Sequence, residues 1–418
     1  MKTRFRFVPD FAALIDSRLA QLPHPLALEW PSGRAGSACA PVRLRLHDPK
    51  ALAWLASGQI GQVADAYVRG LLEIEGSLHD VMATAAELVG DPVRQGVPVP
   101  WKRWLQRWRA RLFGHARRDA ENIRFHYDIS DDFFALWLDP LRVYSCAYYR
   151  EPAMTLAQAQ QAKLDHICRK LRLAPGQRFL DVGAGWGVLL LWAAEHYGVQ
   201  ALGVTLSRNQ HAYVNRLIDE KGLRGRVEMQ LLDYRELPGG AGFDRIASIG
   251  MFEHVGRARL GDYFSTLCHL LRPGGLILNH GITAGGTAND QLGAGMGDYI
   301  DQYIFPGGEL EHVSRVALSP AGSGLELLDA ENLRPHYART LWDWSDGLEA
   351  RIDEARALTG EATVRAYRMY LAGCAMSFER GWLSLYQLLA TRPDGSVDAG
   401  PMRGEQSVYP FNRAYMYP

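Results

Sequence analysis

Arg178-Phe179-Leu180-Asp181-Val182-Gly183-Ala184-Gly185-Trp186-Gly187, running into Val188-Leu189-Leu190-Leu191-Trp192-Ala193-Ala194, decides the fold. A short apolar run ends in a carboxylate, turns on glycines and re-enters a run long and apolar enough for a buried helix. That is strand, turn, helix. Glycines at 183 and 185 permit positive φ and let a ligand approach the main chain, where the free N–H groups of the helix start face it. The third glycine is Gly187, so the spacing is G-x-G-x-G rather than the G-x-G-x-x-G of dinucleotide folds. The next strand, Ala201–Thr205, ends in Thr205, Leu206 and Ser207 where a nicotinamide enzyme places an acid for the ribose. A nicotinamide cofactor is disfavoured, although on this window alone any tight βα turn reads the same way.

Outward from the turn, further strands are expected at Val227–Leu231, Phe243–Ile249 and Leu276–Ile282, alternating with helices. Residues 119–391 therefore read as a doubly wound, Rossmann-like α/β catalytic domain. Ahead of it, Val42–Leu46 alternates like a strand, and Ala51–Ala56, Gln62–Leu72 and Leu78–Val89 have helical patterning, predicting a smaller α+β domain. The proline-punctuated stretch 90–100 reads as a boundary or linker, and this N-terminal unit extends to residue 118. Residues 392–418 are polar, with prolines and glycines, and are expected to form a loose tail.

A chain of 418 residues can bury more than one domain's core. Its 46 acidic and 46 basic side chains cancel, so any attraction to polyanions must be local. The cysteines at 39, 146, 168, 268 and 374 are odd in number, widely spaced and without a C-x-x-C pair. Such usage speaks against a disulfide framework or a metal site and for a reducing compartment. Neither a signal peptide nor an eighteen-residue apolar run is legible, so the expectation is a cytoplasmic protein that reaches a membrane only from its surface.

Residues 101–118 supply the local charge. Lys102, Arg103, Arg107, Arg109, Arg111, Arg117 and Arg118 meet no acid within the segment, while Trp101, Trp104, Leu105, Trp108 and Leu112 share one helical face. Apolar residues over roughly a 100° arc, flanked by cations, suit a helix lying in an anionic headgroup layer. Each cation near such a surface contributes about 1 kcal/mol. The alternative is a tryptophan stripe packed on the catalytic domain with a solvated basic side. Nothing else in the chain resembles a nucleic-acid module.

From about His126 to Arg392 the sequence resembles the S-adenosylmethionine-dependent cyclopropane fatty acid synthases, both the phospholipid-directed and the mycolic acid enzymes. The resemblance rests on HYDISDDFF at 126–134, YSCAY at 144–148, LDVGAGWG at 180–187, GVTLSRNQ at 203–210, LDYRE at 232–236, GMFEHVG at 250–256, His280-Gly281-Ile282, YIFPGG at 303–308 and the late helix around 371–375. Ala184 stands where the family commonly has cysteine. The leading 120 residues are similar to the N-terminal domain of the phospholipid-directed enzymes, which implies lipid binding and a homodimer.

The resemblance implies that Tyr144, Ser145, Gly183, Gly185, Thr205, Leu206 and Gln210 surround S-adenosylmethionine, with Asp233 and Tyr234 beside the adenine. Gln210 offers ribose hydroxyls both a donor and an acceptor, and Tyr234 offers a ring face. The implied reaction adds a methylene group across a cis double bond of an unsaturated phospholipid acyl chain in an anionic bilayer, reached from the inner face of the membrane. The implied base is a bicarbonate ion among the backbone of Cys146 and Ile282 and the side chains of Glu253, His280 and Tyr337. His280 and Tyr337 can donate to that anion, and Glu253 can accept from its hydroxyl. Aromatic walls suit developing positive charge; Tyr127, Phe133, Phe134 and Phe305 are candidates, with Tyr127 favoured by its place in the HYD motif. Cys374 lies in another family motif and is expected to line the tunnel rather than attack, since alkyl transfer to an alkene needs no thiolate. Read from residues alone, Glu253 is more often a helix-start acid than a catalytic group, and His280 more often a satisfied core histidine. Two competing functions remain: a methyltransferase of the same fold that leaves a methyl branch or methylates an amine, and a non-catalytic lipid-binding protein.

Overall fold

The computed structural model describes residues 23–48, 50–56, 59–89, 131–240, 242–287, 296–304, 309–393 and 412–417, with single positions 16, 19, 93 and 410. The basic segment 101–118, Tyr127 and Phe305 lie outside the described residues. In chain order the first elements are β1 Leu26–Trp30, β2 Gly33–Gly36, β3 Val42–Leu46, α1 Lys50–Ala56, α2 Ile60–Val68, β4 Leu72–Glu75 and α3 Leu78–Val89. They build a sheet of order β2-β1-β3-β4 with helices, an α+β unit. The helix expected over 62–72 stops at Val68. Gly70 takes φ +70°, and the apolar residues after it pair with β3 as β4 instead.

The larger unit continues with α4 Asp131–Ala135, α5 Leu156–Lys170, β5 Arg178–Val182, α6 Val188–Tyr197, β6 Gln200–Thr205, α7 Arg208–Glu220, β7 Val227–Leu231, β8 Phe243–Ile249, α8 Phe252–Val255, α9 Leu260–Leu270 and β9 Leu271–Ala284. It closes with α10 Met296–Tyr303, α11 Val313–Gly322, β10 Glu326–Asn332, α12 Arg334–Ala350, α13 Ile352–Thr359, α14 Glu361–Glu379 and β11 Leu383–Thr391. The sheet order is β10-β11-β9-β8-β5-β6-β7. β5 pairs in parallel with β6 on one side and β8 on the other, and β11 alone among the seven runs against its neighbours. The chain steps outward in both directions from β5, so the crevice at its carboxyl end is the switch point where ligands bind in doubly wound sheets. β5 is buried beyond its first residue, as a central parallel strand must be.

Gly187, at φ +72°, begins α6, and a Cβ there would lie 2.7 Å from Val214 Cγ1. The turn can pack this closely on α7 only with glycine. Across the molecule, α2 and α3 lie on α14, and one apolar core runs from β3 and α2 into α12 and α14. Arg365 of α14 sits 4.8 Å over the Tyr67 ring and donates to Tyr67 O and to Glu73 Oε1 at 2.9 Å. The smaller unit thus braces the helix that carries Cys374.

The loose-tail expectation is corrected for 412–417. Met416 is fully buried, its carbonyl bonds His166 Nδ1 at 2.9 Å, and Arg172 lies over Tyr415. Burying these apolar residues offsets the ordering cost of the otherwise polar segment.

Candidate active site

Two adjoining cavities, about 250 and about 220 Å³, open at the carboxyl ends of β5, β6 and β8. They share Gly183, Gly185, Gln210 and His254, so they form one bent space. Its smaller arm is lined by Thr205, Leu206, Asp233 and Tyr234. The larger arm is lined by Tyr144, Ser145, Cys146, Glu253, His280, Ile282, Tyr337 and Cys374. The residues expected around the methyl donor and the anion, together with Cys374, therefore meet at one bend, whereas Phe133 and Phe134 do not line it.

In the smaller arm, Thr205 Oγ1 donates to Gln210 Oε1 at 2.8 Å, fixing the amide. The acceptor expected for a ribose is occupied, so Gln210 offers its N–H donors. Asp233 caps the turn Tyr234–Glu236 and is gripped by Arg235, with Nε 2.9 Å from Oδ1, which holds its carboxyl below the usual range despite partial burial. Tyr234 packs edge-on against Tyr263, at 5.7 Å between ring centres.

In the larger arm, Glu253 enters α8 directly from β8 and turns inward. Its Oε1 accepts from Ile282 N at 2.7 Å. That approach exists because position 281 is glycine: a Cβ there would lie 2.2 Å from Phe252 Cε1 and 2.8 Å from Glu253 Oε1. Burial pushes the Glu253 carboxyl up to about 7, with the Ile282 N–H opposing. The backbone N–H of Ile282, expected to face an anion, is thus committed to Glu253. Gln387 Nε2 donates to His280 Nδ1 at 3.2 Å, so the neutral ring carries its proton on Nε2. Burial first, then the cations Lys163 and Lys170, hold His280 well below its ordinary value, and the ring is neutral at physiological pH. Among the described residues Glu253 Oε2 and His280 Nε2 are buried without a hydrogen-bond partner. Both residues line the larger arm, and a buried acceptor and a buried donor left this way call for a partner.

Tyr337 packs its ring 4.8 Å from Phe378. Burial pushes the Cys146 thiol well up, and that of Cys374 up to about 12, so both are neutral thiols near pH 7. Neither is an activated nucleophile. Phe133 and Phe134 belong to an aromatic core with Trp137 and Tyr367, not to the cavity walls, because α4 turns them inward. The aromatic lining comes instead from Tyr144, Trp186, Tyr337, Tyr370 and Phe378.

Three further residues emerged only from the structure. Lys163 of α5 is buried in the cavity wall, with Nζ donating to Ser145 Oγ at 2.8 Å. Burial lowers its ammonium to about 8. Asp181, at the end of β5, is raised by burial to about 7, with Lys163 opposing. Gln387 lies on β11, 107 residues from its histidine. No local motif marks Lys163 or Gln387; Asp181 stands in the glycine motif itself.

A glycine turn at the switch point, a hydroxyl and amide pair after β6 and an acid after β7 define an S-adenosylmethionine-dependent methyltransferase. Residues 115–388 match the family described as mycolic acid cyclopropane synthetase, and the chain belongs to that family. It is 43% identical to a "Probable fatty acid methyltransferase" of Pseudomonas putida over 91% of this chain and 97% of that one. Identity is 36% to "Probable fatty acid methyltransferase Rv3720" of Mycobacterium tuberculosis, over 93% and 96%. The crystal structure of mycolic acid cyclopropane synthase CmaA1 complexed with SAH and CTAB superimposes with TM-score 0.61 at 37% identity, covering 65% of this chain and 98% of that one.

The residues present fit the methyl donor. The glycines at 183 and 185 have positive φ and leave the turn open, with the nearest atom to an added Cβ at 3.5 Å and 4.0 Å respectively. When bound, S-adenosylmethionine supplies an electrophilic methyl group.

Proposed function

We propose that the protein transfers a methylene group from S-adenosylmethionine to the cis double bond of unsaturated phospholipid acyl chains, forming cyclopropane fatty acids. The observation that carries this reading is the pair of buried, unpartnered atoms Glu253 Oε2 and His280 Nε2 beside an apolar, aromatic-lined arm. An alkene is a weak nucleophile, so the walls must hold it in contact with the methyl group and exclude water. Ile300, Leu341, Tyr370, Phe378 and Leu385 supply an apolar lining for an acyl chain. The rings of Tyr337 and Tyr370 supply faces for positive charge developing on the chain.

Ring closure requires loss of one proton from the transferred carbon. Bicarbonate has the complementary features: a hydroxyl to donate to Glu253 and anionic oxygen to accept from His280 Nε2–H. Tyr337 and the backbone beside Cys146 and Ile282 bound the same space. Bound there, the ion would supply a base; Glu253 orients it and raises its basicity. Phospholipid as the acyl carrier is supported by the cationic, tryptophan-bearing segment 101–118, which would dock the protein on the cytoplasmic face of an anionic membrane. A homodimer through the N-terminal unit belongs to the same proposal.

The names of the relatives in Pseudomonas putida and Mycobacterium tuberculosis favour a second product, a methyl-branched chain. Incubation with cis-unsaturated phospholipid vesicles and labelled S-adenosylmethionine, followed by fatty acid analysis, separates the two. A ring consumes the alkene, whereas an untouched lipid overturns both readings.

A further inference from the structure

We propose that Tyr148 is a positioning residue for the anion pocket, held between His166 and His336 in a stack of rings that the C-terminal segment braces from behind. The inference rests on the reading of the space bounded by Cys146, Glu253, His280 and Tyr337 as the seat of a bound base. Residues 136–155 form neither helix nor strand, yet Tyr144, Ser145 and Cys146 among them line the larger arm. With no backbone ladder, contacts from neighbouring elements must hold this strip.

The Ser145 end is fixed from α5, where Gln160 Nε2 donates to Ser145 O at 2.9 Å and Lys163 Nζ donates to Ser145 Oγ at 2.8 Å. The other end is fixed from α12. Ala147 N donates to Thr340 Oγ1, and Tyr149 N donates to His336 Nδ1, each at 3.0 Å. Both acceptors stand on the helix that carries Tyr337, so Cys146 and Tyr337 are set in register. Tyr148 lies between those two bonds. Its buried ring stacks on His336 at 4.7 Å and on His166 at 4.2 Å, with interplanar angles of 15° and 18°.

His166 can support this stack only if its own ring cannot turn. Nδ1 donates to the Met416 carbonyl at 2.9 Å, Nε2 lies 2.7 Å from Glu331 Oε2, and the Tyr417 ring packs on it at 5.5 Å. Two of these three contacts come from the C-terminal segment. That segment is itself docked, with Met416 fully buried and Arg413 donating to Leu328 O of β10 at 2.9 Å. It lies beyond the family match, which ends at residue 388. A loosened segment frees His166, then Tyr148, and the slack reaches the backbone at Cys146 while the Ser145 end stays tied to α5.

The test uses full-length protein, cis-unsaturated phospholipid vesicles and S-adenosylmethionine in carbonate-free buffer to which bicarbonate is added back. Turnover is normalised to the sites that bind S-adenosylhomocysteine in calorimetric titration. Tyr148→Leu removes the central ring and should raise the KM for bicarbonate roughly tenfold, the effect of one weakened hydrogen bond to an anion. With bicarbonate saturating, kcat should change by less than about threefold, the mark of lost binding rather than lost chemistry. Tyr148→Phe keeps the ring, loses only the 3.4 Å bond to Glu331, and should recover most of the loss. Met416→Ala loosens the brace from the C-terminal side, should move the KM in the same direction, and serves if the Leu variant does not fold. Fewer binding sites with ordinary bicarbonate kinetics at those that remain would mean a merely structural stack and overturn the proposal. A Phe variant as impaired as the Leu variant would overturn it too. Parent turnover independent of bicarbonate would sink the base reading and the proposal with it, whereas bicarbonate-dependent turnover left unchanged in the Leu and Ala variants would overturn the proposal alone.

Discussion

Glu253→Gln removes one charge from the bend of the cavity while leaving the shape of the side chain. The amide oxygen can still accept from Ile282 N, replacing the 2.7 Å bond, so α8 stays docked on β9. The second position becomes an N–H donor where the proposed base needs an acceptor. Loss of one preorganised electrostatic contact costs about 10²–10³ in kcat, or roughly 3–4 kcal/mol. Glu253 does not line the arm formed by Thr205, Leu206 and Asp233, so S-adenosylmethionine affinity should change by less than about twofold. Stability should move the other way. Because burial raises the carboxyl to about 7, the folded protein retains the Glu253 proton that the unfolded chain releases near its ordinary value. Stability is therefore full below that ordinary value and falls as pH rises through about 7. The variant cannot titrate there. It should exceed the parent by up to about 3 kcal/mol at pH 8 and lose that advantage near pH 4. Asp181 titrates in the same window in both proteins and cancels. Turnover on unsaturated phospholipid and urea unfolding at both pH values test the pair of effects. Normal turnover in the variant would refute the role assigned to Glu253.

Turnover should rise with pH through about 7 as Glu253 ionises, without a descending limb from His280, which stays neutral; initial rates between pH 5.5 and 9 check this. Gly281→Ala should displace Phe252 and Glu253, lowering stability by about 1–3 kcal/mol and turnover by more than tenfold, while S-adenosylmethionine binding persists. Denaturant unfolding and calorimetry on the same sample separate the effects. Replacing Trp104 and Trp108 by alanine should weaken co-sedimentation with anionic vesicles and leave the melting temperature unchanged; undiminished sedimentation would remove segment 101–118 from the membrane reading.

Strands β5, β7 and β8 were legible to the residue: β5 and β8 are central parallel strands, apolar runs between turn residues, and β7, at the edge of the sheet, alternates buried and exposed positions. β10 was not. Its Glu326-Leu327-Leu328-Asp329-Ala330-Glu331-Asn332 sequence is acidic, an edge strand paired, among the described residues, only with β11. β11 itself is buried almost throughout, so alternation gives no sign of it. The candidate site came through family motifs more than through pattern. A glutamate beside a histidine carries no local signal of a carboxylate seated against a glycine strand end. Lys163 was invisible for a different reason: its partner lies 18 residues upstream, and only the packing of α5 on the Tyr144–Cys146 strip joins them.

The central claim is that one cavity both delivers a methyl group to an acyl alkene and removes a proton from it. Incubating the protein with cis-unsaturated phospholipid vesicles, bicarbonate and S-adenosylmethionine bearing a CD3 group tests this directly. The account predicts a fatty acid without an alkene that carries a CD2 ring carbon, the third deuteron having left to the base. A product retaining an intact CD3 group, or lipid recovered unchanged, would contradict it.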